Sequence, residues 1–591
     1  MVLGVIVTYL PVWHAGFIWD DDYHLTDNPC IIGPLGFVGI WTTHIYQFFP
    51  LVLSTFWLEH ALWGLAPVPY HLVNVLQQAG CALLLWQVLK NLQIPGAWLG
   101  AALWALHPVQ VESVAWISEM KNTESGLFYL LAILFFVRWL KADDAGARSE
   151  ARRNYALTLL FAALAMAGKS STVVLPAVLF LCAWWVENRF PWQRFGRLAP
   201  VILLSVISTA ITIWPVAPDP SVVADPQWAQ SWPQRVATSG DVIWFYLGKL
   251  LWPHPLMAVY PRWRIDAHQL ASYLPLLTAL IVGLGLWFWR ESRLVRPAFF
   301  ALAYFLVVLA PFLDLLDQSF WRYSFVEDHL QYLACMGPLA LAGAGLTQLV
   351  ERIVPVSPRW QGALGAGLLL ILGFLSWQRA GVYANELTLW TDNLAKNPDC
   401  WVGYYNLGNE YVRERRIDEA LALYQKSIAI NPNYDRAHNN LGNALLQRGQ
   451  IDAAVAEIER ALQINPKSYM AHVSLADAFL HQGRLDEAAL QSQEAVDINP
   501  KISSAHNNLG NALLRLGRLD EAIAQYQKAL QIKPEFAEAH NNLGLALIRK
   551  GNVEASIVEF QEAVNLQPNY LDARRNLMRA EMIARQNVVP K

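Results

Sequence analysis

Residues 436–466 read RAHNNLGNALLQRGQIDAAVAEIERALQINP, and nearly the same phrase returns at 504–534 as SAHNNLGNALLRLGRLDEAIAQYQKALQIKP. Around these two stretches a proline dipeptide recurs at Asn397-Pro398, Asn431-Pro432, Asn465-Pro466, Asn499-Pro500, Lys533-Pro534 and Gln567-Pro568, always 34 residues apart. Between the prolines, Leu-Gly stands at Leu407-Gly408, Leu441-Gly442, Leu509-Gly510 and Leu543-Gly544, with Leu475-Ala476 in the third unit. A small residue follows at Ala420, Ala454, Ala488, Ala522 and Ser556. Small side chains let two helices of a pair approach, and each proline ends the second helix because it cannot continue it. Five helix pairs are expected over 401–568, with a capping helix and tail over 569–591.

A 34-residue helix-turn-helix period is that of the tetratricopeptide repeat, TPR. An asparagine precedes the leucine at Asn406, Asn440, Asn508 and Asn542, with Ser474 in the third repeat. This pattern resembles the asparagine ladder in the TPR superhelix of the soluble O-GlcNAc transferase, which implies that the four amides hold a peptide or partner protein by its backbone. An amide donates and accepts at once, which suits sequence-tolerant recognition. The other reading is that they bond between neighbouring helices.

Before about residue 380 the character of the chain changes. Long apolar runs rich in Trp, Leu and Phe replace the charged periodic pattern. They raise the hydrophobic share of the 591 residues to 55% and lower the charged share to 15%, and give a mean hydropathy of +0.26. A bilayer span needs about 20 apolar residues. Eleven spans are predicted at 1–18, 70–91, 96–118, 123–141, 154–167, 172–187, 198–215, 271–290, 296–313, 331–350 and 361–380. The pair 154–167 and 172–187 is short enough for a re-entrant hairpin, and 239–251 is apolar enough for a further interfacial helix. The first stretch lacks the basic start and small-residue cleavage site of a signal peptide. Domains follow: 1–380 the membrane part, with loops 19–69 and 216–270; 381–400 a linker helix; then the repeats.

Lys and Arg gather in alternate loops, as at Lys141, Arg148, Arg152 and Arg153, whereas loop 19–69 has none. The basic loops are therefore assigned to the cytoplasm. That puts the N-terminus inside, and loop 19–69 and the repeats outside, in a periplasm or, in a eukaryote, the ER lumen. The membrane is then the inner (plasma) membrane. A net charge of −3 gives no broad attraction to nucleic acid. The five scattered cysteines form no CxxC pair, so neither a metal knuckle nor a disulfide framework is indicated. P-loop, GxGxxG, HExxH and GxSxG patterns are missing from the sequence, which leaves NTP-driven transport, redox chemistry and hydrolase triads without support.

The polar residues of the membrane half carry the chemistry. Trp19-Asp20-Asp21-Asp22-Tyr23 closes the first span. Adjacent carboxylates beside a bilayer repel and lose hydration, so one is suited to take a proton from a hydroxyl. Glu112 sits in His107-Pro108-Val109-Gln110-Val111-Glu112-Ser113-Val114-Ala115, and Lys169 opens Lys169-Ser170-Ser171-Thr172-Val173-Val174-Leu175-Pro176. The order of these three blocks, with Asn28-Pro29 after the first and the TPR tail behind, resembles the GT-C class of lipid-dependent glycosyltransferases. The closer resemblance is to the transmembrane and TPR repeat-containing O-mannosyltransferases and their bacterial relatives.

The resemblance implies an all-α protein: a GT-C-like membrane helix bundle followed by a TPR α-solenoid. It implies an inverting transfer of sugar from a polyprenyl-phosphate donor to a hydroxyl, expected on protein Ser or Thr. Asp20 or Asp21 would be the base; Glu112, an acid among apolar residues, could align an acceptor or bind a cation. Lys169 would meet the lipid phosphate, near the outer face. Where that family often reads Asp-Arg-Tyr, this chain has Glu327-Asp328-His329. His329 replaces the phosphate-binding arginine, with Arg322, Arg262 and Arg264 as further sources of positive charge. Asp22, Glu327 and Asp328 could instead hold a divalent cation such as Mg or Mn, since hard cations favour oxygen. The rival readings are a non-enzymatic membrane-anchored TPR scaffold for an envelope or polysaccharide assembly complex, which eleven spans exceed in need, and a transporter, for which no internally repeated halves are visible.

Overall fold

A computed structural model describes residues 1–43, 49–213, 230–315, 323–353 and 358–588. They are helices joined by turns, and no strand occurs among the described residues. They divide into two compact units, the first ending at Gly403 and the second beginning at Tyr404.

In the first unit six helices are long and apolar enough to cross a membrane: Pro67–Asn91, Ile117–Asp144, Ser170–Glu187, Trp192–Thr212, Leu270–Phe288 and Ala363–Val382. Two shorter apolar helices, Ala97–Leu106 and Arg296–Phe312, accompany them. No residue in the apolar window of Leu270–Phe288 is fully buried; Leu277, Leu280, Ile281, Leu284 and Phe288 are all exposed. Such a continuous apolar face is stable in lipid and a liability in water.

The expected eleven spans are thus not all unbroken helices. Residues 1–18 form Val2–Thr8 and then a 3-10 turn, Leu10–His14, because Pro11 has no N–H to extend the α-helix. The expected span 96–118 is cut at His107-Pro108 into Ala97–Leu106, a 3-10 turn and Val111–Ala115. Arg148–Gly168 is a full helix, but its first turns carry Arg148, Arg152 and Arg153. Residues 239–251 lie within Trp232–Leu251. The linker expected over 381–400 contains the helix Glu386–Lys396, which belongs to the first unit.

Close helix approach uses glycine. A Cβ on Gly343 would lie 2.5 Å from the backbone of Gly100, so Ala97–Leu106 and Met336–Ile353 pack at backbone contact, as small residues allow between membrane helices.

The second unit is five antiparallel helix pairs, from Trp401–Arg413 with Ile417–Ile430 to Ala537–Arg549 with Val553–Leu566, and a final helix Leu571–Val588. The repeat glycines are there for contact: a Cβ on Gly408, Gly510 or Gly544 would stand 2.6–2.7 Å from the ring of Tyr424, Tyr526 or Phe560. The Asn-Pro turns also have a local cause. Asn431, Asn465 and Asn499 each accept a hydrogen bond from the amide two residues on, at 3.1–3.2 Å, an Asx turn that replaces the lost helix bond.

A histidine repeats with the same period. His438 places Nδ1 2.7 Å from Glu457 Oε2 and Nε2 3.1 Å from the Pro432 carbonyl. His540 does the same with Glu559, at 2.7 Å, and Pro534, at 2.9 Å. In the repeats between, His472 and His506 face Gln491 and Gln525 instead. An ionised glutamate and a carbonyl only accept, so the His540 ring satisfies both partners only as imidazolium; a glutamine amide can turn to donate. The Glu559 bond holds His540 above the ordinary histidine range. A raised folded pKa makes the pair's contribution complete below the unfolded histidine value, and it fades as pH rises through the folded one. The unfolding midpoint of the repeats is therefore expected to fall slightly as pH rises past the ordinary histidine value, by an effect of about 1 kcal/mol or less for a partly exposed pair. Glu559→Gln should flatten that slope, which thermal unfolding followed by circular dichroism measures.

Candidate active site

The site starts from the turn that follows the short first helix. Trp19 has φ +46°, a left-handed backbone that a bulky residue rarely adopts. Its ring stacks on Trp116, with centroids 5.0 Å apart and planes 9° apart. Asp21 is wholly buried. Its Oδ2 accepts from the Ile18 amide at 2.8 Å and its Oδ1 from the Ser118 amide at 2.7 Å. Burial raises its pKa to about 8, against the pull of those two amides. Asp21 therefore pins loop 19–69 to the turn at 116–119. Asp20, half-buried, lies within electrostatic reach of Lys121 and Glu327. Asp22 accepts from the Thr26 hydroxyl at 3.0 Å. Buried Asn28 closes the loop, donating to the His24 carbonyl and accepting from the Cys30 amide.

The break at His107-Pro108 brings a second segment to the same place. His107 is extended and accepts from the Val109 amide, which starts the 3-10 turn. The short helix after it presents Glu112, whose Oε2 accepts from the His329 amide at 3.0 Å. Two turns on, Glu119 accepts from Asn122 at 2.6 Å and pairs with Lys121 at 2.7 Å. Asn122 in turn accepts from Lys169. The His329 ring lies among three carboxylates: Glu327 at 3.4 Å, Glu112 at 3.6 Å and Glu119 at 3.8 Å. It packs perpendicular to the Trp116 ring, with centroids 6.2 Å apart, so Trp116 touches both the imidazole and Trp19.

Glu327-Asp328-His329 is buried throughout. Burial first, and the charges of Glu112 and Glu119 next, hold Glu327 well above the usual carboxylate range. Asp328 accepts from Tyr260 at 3.0 Å. Burial and the Glu112 charge push it up to about 7 while Arg379 opposes them.

Of the residues chosen from sequence, Asp20, Glu112, Lys169, Glu327 and His329 thus belong to one cluster, and Asp328 adjoins it. Arg262 stacks on Phe325 at 4.6 Å, and Arg264 lines a separate cavity with Asp241, Trp244 and Trp263. Arg322 lies outside the described residues. Asp22 accepts from Thr26 one turn on, Glu327 faces the His329 ring, and Asp328 accepts from Tyr260. Among the described residues no three His, Cys, Asp or Glu side chains form a metal-holding group. The cluster also contains residues the sequence reading passed over: Glu119, Lys121 and Asn122. The polar run Ser118-Glu119-Met120-Lys121-Asn122 between two apolar segments was the available signal.

Chemically, the cluster keeps several acids and two lysines in a mostly dry place. A half-buried carboxylate beside a lysine can take a proton, and Lys121 and Lys169 can meet developing negative charge, with the His329 ring as a further hydrogen-bonding group.

In the repeats, the ladder amides bond from one repeat to the one before. Asn440 donates to Asn409 at 2.9 Å and Tyr405 at 3.2 Å, Asn542 to Asn507 at 3.1 Å, and Asn508 to the Val473 carbonyl at 3.4 Å. Asn406, Asn440 and Asn542 remain partly exposed.

Family models described as tetratricopeptide repeat match residues 405–469, 439–503, 493–524 and 537–570, and one described as TPR repeat matches 510–551. The protein O-mannosyl-transferase Tmtc3 of Drosophila melanogaster is 23% identical over 501 residues, 71% of this chain and 53% of that protein. The protein O-mannosyl-transferase F38B6.6 of Caenorhabditis elegans is 22% identical over 428 residues, 68% and 58%. The protein O-mannosyl-transferase TMTC2 of Mus musculus is 30% identical over 157 residues, 24% and 19%. The chain therefore spans between a fifth and three fifths of the length of these relatives. Among solved structures, the TPR protein TTC0263 of Thermus thermophilus is 21% identical and covers 31% of this chain and 99% of its own, with a TM-score of 0.29.

Proposed function

From a chain with tetratricopeptide repeats behind a membrane half similar to the protein O-mannosyl-transferases, we propose a membrane glycosyltransferase. It moves a sugar from a polyprenyl-phosphate donor to a hydroxyl of protein Ser or Thr. The names of the relatives make mannose the sugar to try first. The reaction occurs at the periplasmic or luminal face that carries loop 19–69, and the repeats recruit the acceptor or a partner protein. The observation that carries this reading is the gathering of Asp20, Glu112, Glu119, Lys121, Lys169, Glu327 and His329 from four separate segments.

In a single displacement the acceptor oxygen attacks the anomeric carbon and gives its proton to Asp20, and the bond from that carbon to the phosphate oxygen breaks. The leaving lipid phosphate carries away the electron pair; Lys121 and Lys169 supply the positive charge that meets it, and the His329 ring offers a further N–H. Asp21, with both oxygens already bonded to amides, holds the loop in place. Transfer then inverts the anomeric centre.

Membranes from cells expressing the chain, given polyprenyl-phosphoryl [³H]mannose, are expected to place label on a protease-sensitive product. Label only in the organic phase would move the acceptor to a glycolipid. No label from mannosyl or glucosyl donors would favour the membrane-anchored scaffold.

A further inference from the structure

Asn385 opens the helix Glu386–Lys396, its side chain accepting from the Thr388 amide at 2.9 Å while Thr388 bonds back. This reciprocal cap fixes the first turn, and with it the carboxylate of Glu386. Both oxygens of that carboxylate are used. Oε1 accepts from the Trp19 amide at 2.9 Å, and Oε2 accepts from the Trp390 indole N–H at 2.8 Å, one turn further along the helix. Trp390 is wholly buried and sets its ring against Trp19 at 4.7 Å and 66°. A second bond joins the same two segments, from the Gly16 amide to the Ala384 carbonyl at 3.0 Å.

The residue so held is the one with φ +46°. Strained backbone persists where its surroundings over-determine it, and Trp19 is held on three sides: by Trp116 stacked on its ring, by Trp390 at its edge and by Glu386 on its amide. The next residue is Asp20, so the torsions of Trp19 decide where the Asp20 carboxylate leaves the chain. We propose that Glu386 is a positioning residue, which locks the Trp19 backbone and through it aims Asp20 into the cluster. Its catalytic consequence rests on the reading of Asp20 as base; its structural consequence does not.

The test compares the full chain with Glu386→Ala and Glu386→Gln in two measurements. Hydrogen exchange followed by mass spectrometry is expected to show peptides covering 15–25 losing protection in Glu386→Ala, while peptides from 67–91 and from the repeats exchange as in wild type. Glu386→Gln keeps an oxygen for the Trp19 amide but faces Trp390 with an amide or loses one bond, so it should fall between. Transfer kinetics are expected to show kcat falling by about tenfold to a hundredfold, the scale of a misplaced group, with KM for the lipid donor little changed. Unaltered exchange over 15–25 in Glu386→Ala would overturn the proposal. So would equal loss of protection throughout the chain in both variants, which would make Glu386 a general folding residue. If wild type transfers no sugar, the proposed reaction fails, and the exchange result still decides whether Glu386 holds the loop.

Discussion

Asp20→Asn is expected to lower sugar transfer by at least about a hundredfold, the range that loss of a general base commonly costs, with the unfolding midpoint unchanged. Asparagine keeps the shape of the side chain at a half-buried position and removes the site that takes the proton. Asp21→Asn should differ in stability. The buried carboxylate serves two amides, Ile18 and Ser118, and an asparagine offers one of them an N–H instead of an oxygen. A donor then faces a donor in the interior, at a cost of roughly 1–3 kcal/mol, and loop 19–69 loses its anchor to the 116–119 turn. Activity drops in both variants, but only the second loses stability. Parallel transfer assays and thermal unfolding at matched expression separate them. Full activity in Asp20→Asn beside an inactive, fully stable Asp21→Asn would give the base role to Asp21.

The second large effect is expected at Glu119. Its carboxylate is buried and joins Lys121, Asn122 and the His329 ring, so it holds the 117–122 segment to the 327–329 turn. Breaking a buried ion pair from one side leaves the other charge without a partner, at about 3–5 kcal/mol. Glu119→Ala and Lys121→Met should each lose that much, seen as a lower yield of folded protein and a lower midpoint in mild detergent. The double variant Glu119→Ala with Lys121→Met removes both charges at once. It is expected to recover part of the loss, as coupled neighbours do. Strictly additive losses would show that the two residues do not act as a pair.

How far the sequence could be read follows from the range of the forces involved. The repeats were legible because their contacts lie within one 34-residue period. The Leu-Gly pairs and the Asn-Pro turns have the local causes just described, a ring against a missing Cβ and an Asx turn. The histidines His438, His472, His506 and His540 obey the same period and were passed over, because their meaning depends on whether Glu or Gln stands on the facing helix. The ladder asparagines were legible as positions, and their partners in the preceding repeat were not.

In the membrane half, apolar length marked the long helices but not where they break. Pro11 and Pro108 divide stretches that hydropathy alone joins. Charges in apolar surroundings drew attention to Glu112 and Lys169, and three adjacent carboxylates, with the resemblance, drew it to Asp20 and Asp21. Arg262 and Arg264 were chosen by charge alone, and packing takes them to Phe325 and to another cavity. Glu386 was out of reach: its bond to Trp19 spans 367 residues, and nothing in either stretch names the other.

The most direct test is transfer by the purified full chain in lipid nanodiscs, with polyprenyl-phosphoryl [³H]mannose as donor and a membrane-free protein extract as acceptor. The expected result is label on a protease-sensitive product with polyprenyl phosphate released in equal amount, and neither from Asp20→Asn. Folded wild-type protein that releases no polyprenyl phosphate and labels no acceptor, with mannosyl, glucosyl and N-acetylglucosaminyl donors alike, would contradict the assignment of this chain as a glycosyltransferase.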